Sequence, residues 1–161
     1  MPDTLIIREA AASDVAIIAT FIRELAIYEK MEAQVVVTEA QLVQSLFQEQ
    51  EAYCILAFEG HTPVGFALYF YNYSTFLGRK GLYLEDLFVR PSYRGKGYGK
   101  ALFLHLATIA HDQACGRMEW SVLNWNTPAI QFYQGLGATA QEGWTVYRLQ
   151  QDQIRQLATQ N

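Results

Sequence analysis

Two hydrophobic periods run along this chain, and the places where one replaces the other mark its elements. The short apolar run "TLIIRE" at residues 4–9 reads as a strand. After it, Val15, Ile18, Ile22 and Leu25 recur at helical spacing as far as Glu29, with Ser13 as a candidate N-cap. Thr38 and Gln41 form a capping box for a second helix, whose apolar side is Leu42, Leu46 and Phe47. Two strand-like runs follow, "AYCILAFE" and "PVGFALYFYNY", joined by the turn Glu59-Gly60-His61-Thr62, which predicts an antiparallel hairpin. "GLYLEDLFV" is another strand. Leu102, Phe103, Leu106, Ile109 and Ala110 then mark a helix running to about His111. "RMEWSVL" reads as a strand and "NWN" as a turn. The next helix opens with Thr127 as cap and Pro128 in first position, and Gly135 and Gly137 end it. "GWTVYRL" is expected to close the sheet, ahead of a polar tail helix.

Strands and helices interleaved around one sheet describe a mixed α/β fold. At 161 residues, without linker or internal repeat, the chain is read as a single domain, 1–161. No apolar run approaches a membrane span, and Met1 to Arg8 lacks the basic flank and apolar core of an export signal. Cys54 and Cys115 form no CxxC and sit in apolar contexts, which points to reduced thiols and a cytoplasmic setting. A net charge of −4 argues against nucleic acid as the main partner. His105 and His111 stand six apart on one helix, His61 sits in a turn and no HExxH occurs, so no metal is expected.

Charge changes the picture at one place. Half of the basic residues, six of twelve, fall between Arg79 and Lys100, and "YLEDLFVRPSYRGKGYGKALF" joins a strand to a helix through Gly95, Gly97 and Gly99. Glycines there let the chain turn tightly and let a ligand approach its N–H groups. The helix start adds unpaired N–H groups and a partial positive charge, a natural seat for phosphate. A Walker A loop is excluded, because Arg94 stands where its first glycine belongs and Ala101 replaces the hydroxyl that would hold magnesium. A dinucleotide fingerprint fails as well, since Leu102 stands where a third glycine is needed and the loop lies in mid-chain.

The pattern R-x-x-G-x-G at Arg94, Gly97 and Gly99, preceded by "YLEDLFVRPSY", resembles the acetyl-CoA loop of the GNAT superfamily of N-acetyltransferases. "NWNTPAIQFYQGLGA" is similar to that family's Asn…Tyr segment, with Asn126 and Tyr133 on the matching positions. "ELAIYEKMEAQV", "YNYSTFLGRKGLYLED" and "EGW" resemble its diamine (spermidine/spermine) and thialysine acetyltransferase branch. The resemblance implies a GNAT fold: a central mixed, mostly antiparallel twisted sheet of about six or seven strands flanked by about four or five helices. It also implies acetyl-CoA as cosubstrate and a small-molecule primary amine (polyamine, diamine or lysine-like amino acid) as acceptor, with direct attack in a ternary complex. The backbone of Leu87, Phe88 and Val89 would pair with the pantetheine arm. The amides of Arg94, Gly95, Lys96, Gly97, Tyr98 and Gly99 would cradle the pyrophosphate, and Arg90, Lys96 and Lys100 would add charge.

Amine acetylation needs a base and an acid. An alkylamine with a pKa of about 10.4 is almost wholly protonated at neutral pH, and each positioned proton-transfer group is worth roughly 10²–10⁴ in rate. Glu85 and Asp86 are adjacent, so a regular strand would point them to opposite faces, and a bulge could turn one into a cleft. By resemblance Glu85 is the water-mediated base, Asp86 its structural or substrate-binding neighbour, and Tyr133 the acid that protonates the leaving thiolate. Asn126 serves as a helix cap, a pantetheine contact, or both. A cationic amine calls for acidic and aromatic partners, for which Tyr28, Glu29, Glu85, Asp86 and Trp125 are the candidates, with Glu32 and Phe76 beside them. Asn124 and Phe76 depart from an acid and a tryptophan frequent in that branch, which leaves a lysine-like amino acid or another small amine open. A catalytically idle GNAT-fold protein that binds acyl-CoA as a sensor or interaction module is the alternative. Family relatives pair two-fold, and the run Tyr69, Phe70, Tyr71, Tyr73 and Phe76 exceeds what one strand face can bury, so a homodimer is expected.

Overall fold

The computed structural model describes residues 4–160, so the first three residues and the last lie outside the description. The chain forms two compact units, Met1–Leu123 and Asn124–Asn161. No helix among the described residues is long and apolar enough to cross a membrane.

The first unit is built on a five-stranded sheet in the order β1 (Leu5–Glu9), β2 (Tyr53–Glu59), β3 (Thr62–Ser74), β4 (Arg79–Val89), β5 (Met118–Trp120). The first four strands run antiparallel and β5 runs parallel to β4. The expected hairpin is present, with Glu59 facing Thr62 and Gly60 in a left-handed turn at φ 61. One face of the sheet is covered by α1 (Val15–Tyr28) and by α2 (Glu39–Leu42) with its π-helical continuation Val43–Gln48. Ile18, Phe21, Leu42, Leu46, Cys54, Leu56, Phe66 and Phe88 form the core on that side. Phe21 stacks on Phe66 at 5.4 Å and meets Phe88 edge-on at 6.3 Å. On α3 (Tyr98–Asp112), Leu102, Phe103, Leu106 and Ala110 are buried. Full burial of a leucine, isoleucine or phenylalanine side chain stabilises by about 1.5–3 kcal/mol, so the apolar periodicity specifies these layers.

Local caps follow the sequence with two corrections. Thr38 and Gln41 form the expected capping box, the Gln41 N–H donating to Thr38 Oγ1 at 3.1 Å and the Thr38 N–H to Gln41 Oε1 at 2.8 Å. The cap of α1 is Asp14, not Ser13, which lies in a 3-10 turn over Ala12–Asp14. Asp14 is held there by both guanidinium nitrogens of Arg8, at 2.8 and 3.0 Å, and by the Ala11 N–H at 2.7 Å. These bonds keep its carboxyl below the ordinary aspartate range.

The second unit contains α4 (Thr127–Gly135) and α5 (Gln151–Ala158). Asn126 caps α4, its Oδ1 accepting the Ala129 N–H at 3.4 Å, and Thr127 is already helical. The expected strand over 143–149 does not form. Trp144, Val146 and Tyr147 are 82%, 81% and 93% exposed, and the segment joins no ladder. An alternating pattern only qualifies a segment for a sheet; a free edge must supply the hydrogen bonds. The described residues therefore hold five strands and five α-helices, against six or seven strands expected.

Candidate active site

The glycine loop sits where β4 hands over to α3. After a 3-10 turn over Pro91–Tyr93, the chain passes Gly95 and Gly97, both at φ 82, a conformation that side chains with a Cβ adopt at a cost. A Cβ added at either glycine would meet nothing within 4 Å, so the space above the loop is open. Gly97 caps α3, and the first bond of the helix runs from the Ala101 N–H to the Gly97 carbonyl at 3.0 Å. The N–H groups of Tyr98, Gly99 and Lys100 precede that bond and face outward from the positive end of a 15-residue helix. This is anion-binding geometry.

The basic side chains of the loop are not interchangeable. Arg90 is structural: its Nε donates to Glu24 Oε2 at 3.0 Å, its Nη1 to the Pro63 carbonyl at 3.0 Å, and its guanidinium lies 4.9 Å over the Phe21 ring. These ties hold the Arg90 guanidinium against α1 and β3. Arg94 donates from Nε to the Val89 carbonyl at 2.9 Å and lies 4.7 Å over Tyr28 and 5.6 Å over Phe88. It thus links the glycine loop to the end of α1. Lys96 Nζ meets Glu59 Oε2 at 3.0 Å, and the Tyr98 hydroxyl donates to the same oxygen. The Tyr98 and Lys96 hydrogen bonds hold the Glu59 carboxyl below its usual range, and Glu59 raises the Lys96 ammonium.

The strand leading into this loop has one open edge. β5 pairs with β4 only over Leu82–Leu84. Beyond it, Asp86, Leu87, Phe88 and Val89 pair with Leu68, Ala67, Phe66 and Gly65 of β3, and among the described residues no strand pairs on their other side. The expected bulge is also present. Asp86 pairs with Leu68 and Leu84 with Tyr69, leaving Glu85 as the extra residue.

The bulge sorts the two carboxylates. Asp86 shares the face of Phe88, toward α1, and is partly buried, whereas Glu85 is exposed. Burial, with the neighbouring charges of Glu85 and Glu29 behind it, pushes the Asp86 carboxyl up to about 7. Glu29, just past the end of α1, is raised first by burial and then by Glu85. Glu29, Glu85 and Asp86 therefore form one negative cluster, with half-buried Tyr28 beside it and Arg94 over the Tyr28 ring. Such a cluster favours a cation that compensates it.

Within the second unit, Asn126 is buried and engaged as the cap of α4. Tyr133 lies on α4, half-buried, with its ring 5.4 Å from that of Phe132, and Trp125 is 48% exposed. Among the described residues, no group of three His, Cys, Asp or Glu side chains is arranged to hold a metal ion. Sequence reasoning missed Glu59, the last residue of β2, which sits 37 positions from Lys96 and carries no local signal of a role at the loop.

Comparison with known proteins agrees with this geometry. The profile of the Acetyltransferase (GNAT) family matches residues 20–138. The chain is 39% identical to thialysine N-epsilon-acetyltransferase of Bos taurus, over 96% of this chain and 97% of the relative. It is 30% identical to L-ornithine N5-acetyltransferase of Arabidopsis thaliana, over 94% of this chain and 86% of the relative. Among solved structures, an integron cassette protein from the mobile metagenome of V. cholerae superimposes with a TM-score of 0.80 at 28% identity, covering 96% of this chain and 97% of that one.

Proposed function

Because the chain belongs to the acetyltransferase (GNAT) family, we propose that it transfers an acetyl group from acetyl-CoA to a primary amine of a small cationic substrate, by direct attack in a ternary complex. One observation carries this reading. The open edge of β4 runs from the carboxylate cluster at Glu85 and Asp86 straight to the glycine-capped start of α3. A long ligand with a phosphate at one end and a reactive carbonyl at the other fits that order.

Acetyl-CoA supplies an activated thioester. The backbone of Leu87, Phe88 and Val89 binds the pantetheine arm as an added strand. The amides from Arg94 to Gly99, with Lys96 and Lys100, hold the pyrophosphate. Asn126 contacts the pantetheine while it caps α4. Tyr28, Glu29, Glu85 and Trp125 receive the cationic acceptor. Asp86 takes the proton that the amine must lose, directly or through one water. A carboxyl at about 7 suits that role better than the exposed Glu85, to which the family resemblance assigns it. The amine nitrogen then bonds to the acetyl carbon, the carbon–sulfur bond breaks, and Tyr133 protonates the departing thiolate.

The acceptor class that suits this cluster is a diamine or a diamino acid of lysine or ornithine type. The names of the relatives, for thialysine and L-ornithine, support that class. Tyr73, Phe76 and Leu77, exposed at the β3–β4 hairpin, support assembly as a homodimer, whereas Tyr69 is buried against Tyr53 and needs no partner copy. The unpaired thiols Cys54 and Cys115 fit a reducing, cytoplasmic setting. Incubation with acetyl-CoA and a panel of diamines, diamino acids and neutral arylamines, read by thiol release, tests the proposal. Thiol release only with neutral arylamines, or with no amine at all, would refute it.

A further inference from the structure

Glu59 ends β2, and its carboxylate reaches across to the glycine loop. The Oε2 atom takes Lys96 Nζ at 3.0 Å and the Tyr98 hydroxyl together. Lys96 Nζ lies 5.2 and 5.8 Å from the ring centres of Tyr93 and Tyr98, so both rings flank the contact. Tyr98 is the first residue of α3, and its own N–H is one of the outward-facing amides. One negative oxygen thus gathers an ammonium and a hydroxyl at a helix N-terminus. A phosphate oxygen is bound by the same groups.

We propose that Glu59 is an internal stand-in for the anion, a positioning residue that holds Lys96 and Tyr98 until a CoA phosphate takes the lysine from it. The inference rests on the reading of the loop as a pyrophosphate cradle. The two partners differ in freedom. The Glu59 side chain is 17% exposed and the Lys96 side chain 46% exposed, so the lysine can swing while the acid stays. Binding of the phosphate to Lys96 must break the Lys96–Glu59 contact. Glu59 therefore weakens the grip of the loop on its ligand, and does so through one identified side chain.

Calorimetric titration with CoA tests this. Glu59→Gln keeps the shape and removes the charge, and the Kd for CoA is expected to fall about two- to fivefold, the span of an exposed ion pair. Pantetheine, which carries no phosphate, should bind both proteins alike. In a Lys96→Gln background, Glu59→Gln should change nothing further. Steady-state kinetics should show the gain in the KM for acetyl-CoA and not in that for the amine. Glu59→Asp, which keeps the charge but shortens the reach, is the second carrier should the glutamine variant fold poorly; its smaller gain must also vanish with Lys96→Gln. An unchanged or weaker Kd in Glu59→Gln overturns the inference. So does a gain that persists without Lys96, which would reduce Glu59 to a source of field. The parent reading fails separately, if the wild-type chain does not bind CoA or if Gly97→Ala leaves that binding intact.

Discussion

Replacing Asp86 by Asn removes a titrating group and keeps its shape, and the structure sets the size of the effect. A carboxyl whose pKa is higher folded than unfolded carries an extra proton in the folded chain between the two values. Stability therefore falls as pH rises through that window. For Asp86 the window runs from the ordinary 3.8 to about 7, with burial as the main cause and Glu85 and Glu29 adding to it. At about 1.4 kcal/mol per unit, the step from near pH 5 to near pH 7 removes about 3 kcal/mol. Asp86 retains some contact with water, and screening brings the expected loss to about 2 kcal/mol. The Asn amide shifts stability by an amount independent of pH, so the measurement is a slope. Urea denaturation of wild type and Asp86→Asn at several pH values in that range should show the wild type losing stability with pH and the variant losing about 2 kcal/mol less. In the same variant, the limb of kcat/KM near pH 7 should disappear and the rate should fall by about 10²–10⁴. Parallel stability curves would show that Asp86 titrates as an ordinary surface carboxylate, and with that its assignment as the base collapses.

Other perturbations address separate parts of the site. Gly97→Ala forces a Cβ into a left-handed residue at φ 82, which should lower stability by about 1–2 kcal/mol, and the same Cβ enters the open space above the loop; calorimetry should show CoA affinity reduced by more than tenfold. Tyr133→Phe keeps the ring against Phe132 and should cut turnover by about 10²-fold or more with CoA affinity unchanged, whereas full turnover across pH would reduce Tyr133 to a packed ring. Glu29→Gln should raise the KM for a diamine or diamino acid and leave that for acetyl-CoA alone; equal effects on charged and neutral amines would remove Glu29 from the acceptor site. Light scattering at micromolar concentration should report a dimer, and a monomer throughout would contradict the proposed pairing.

Much of this protein is legible from local chemistry. The helices over Val15–Tyr28 and Tyr98–Asp112, the capping box at Thr38 and the hairpin at Gly60 each follow from a few neighbouring residues. The glycine loop is legible for the same reason, since a left-handed backbone at Gly95 and Gly97 restricts the residues that can stand there. Adjacent carboxylates in a strand raise the question of a bulge, but only the pairing of Leu68 with Asp86 and Tyr69 with Leu84 decides which one turns inward. That depends on register, a property of two strands together. The same holds for charge. Arg90, Arg94 and Lys96 look alike in sequence, yet one is tied to Glu24, one lies over Tyr28 and one meets Glu59. Partners 66 and 37 positions away leave no periodic trace in the chain. The apolar alternation over 143–149 marks the opposite limit, because side-chain pattern qualifies a segment as a strand and only a neighbouring edge makes it one. Local pattern specifies most of the elements and the glycine loop; contacts between distant residues settle which charges are spent on one another and which face a ligand, because ion pairing and burial act through space and not along the chain.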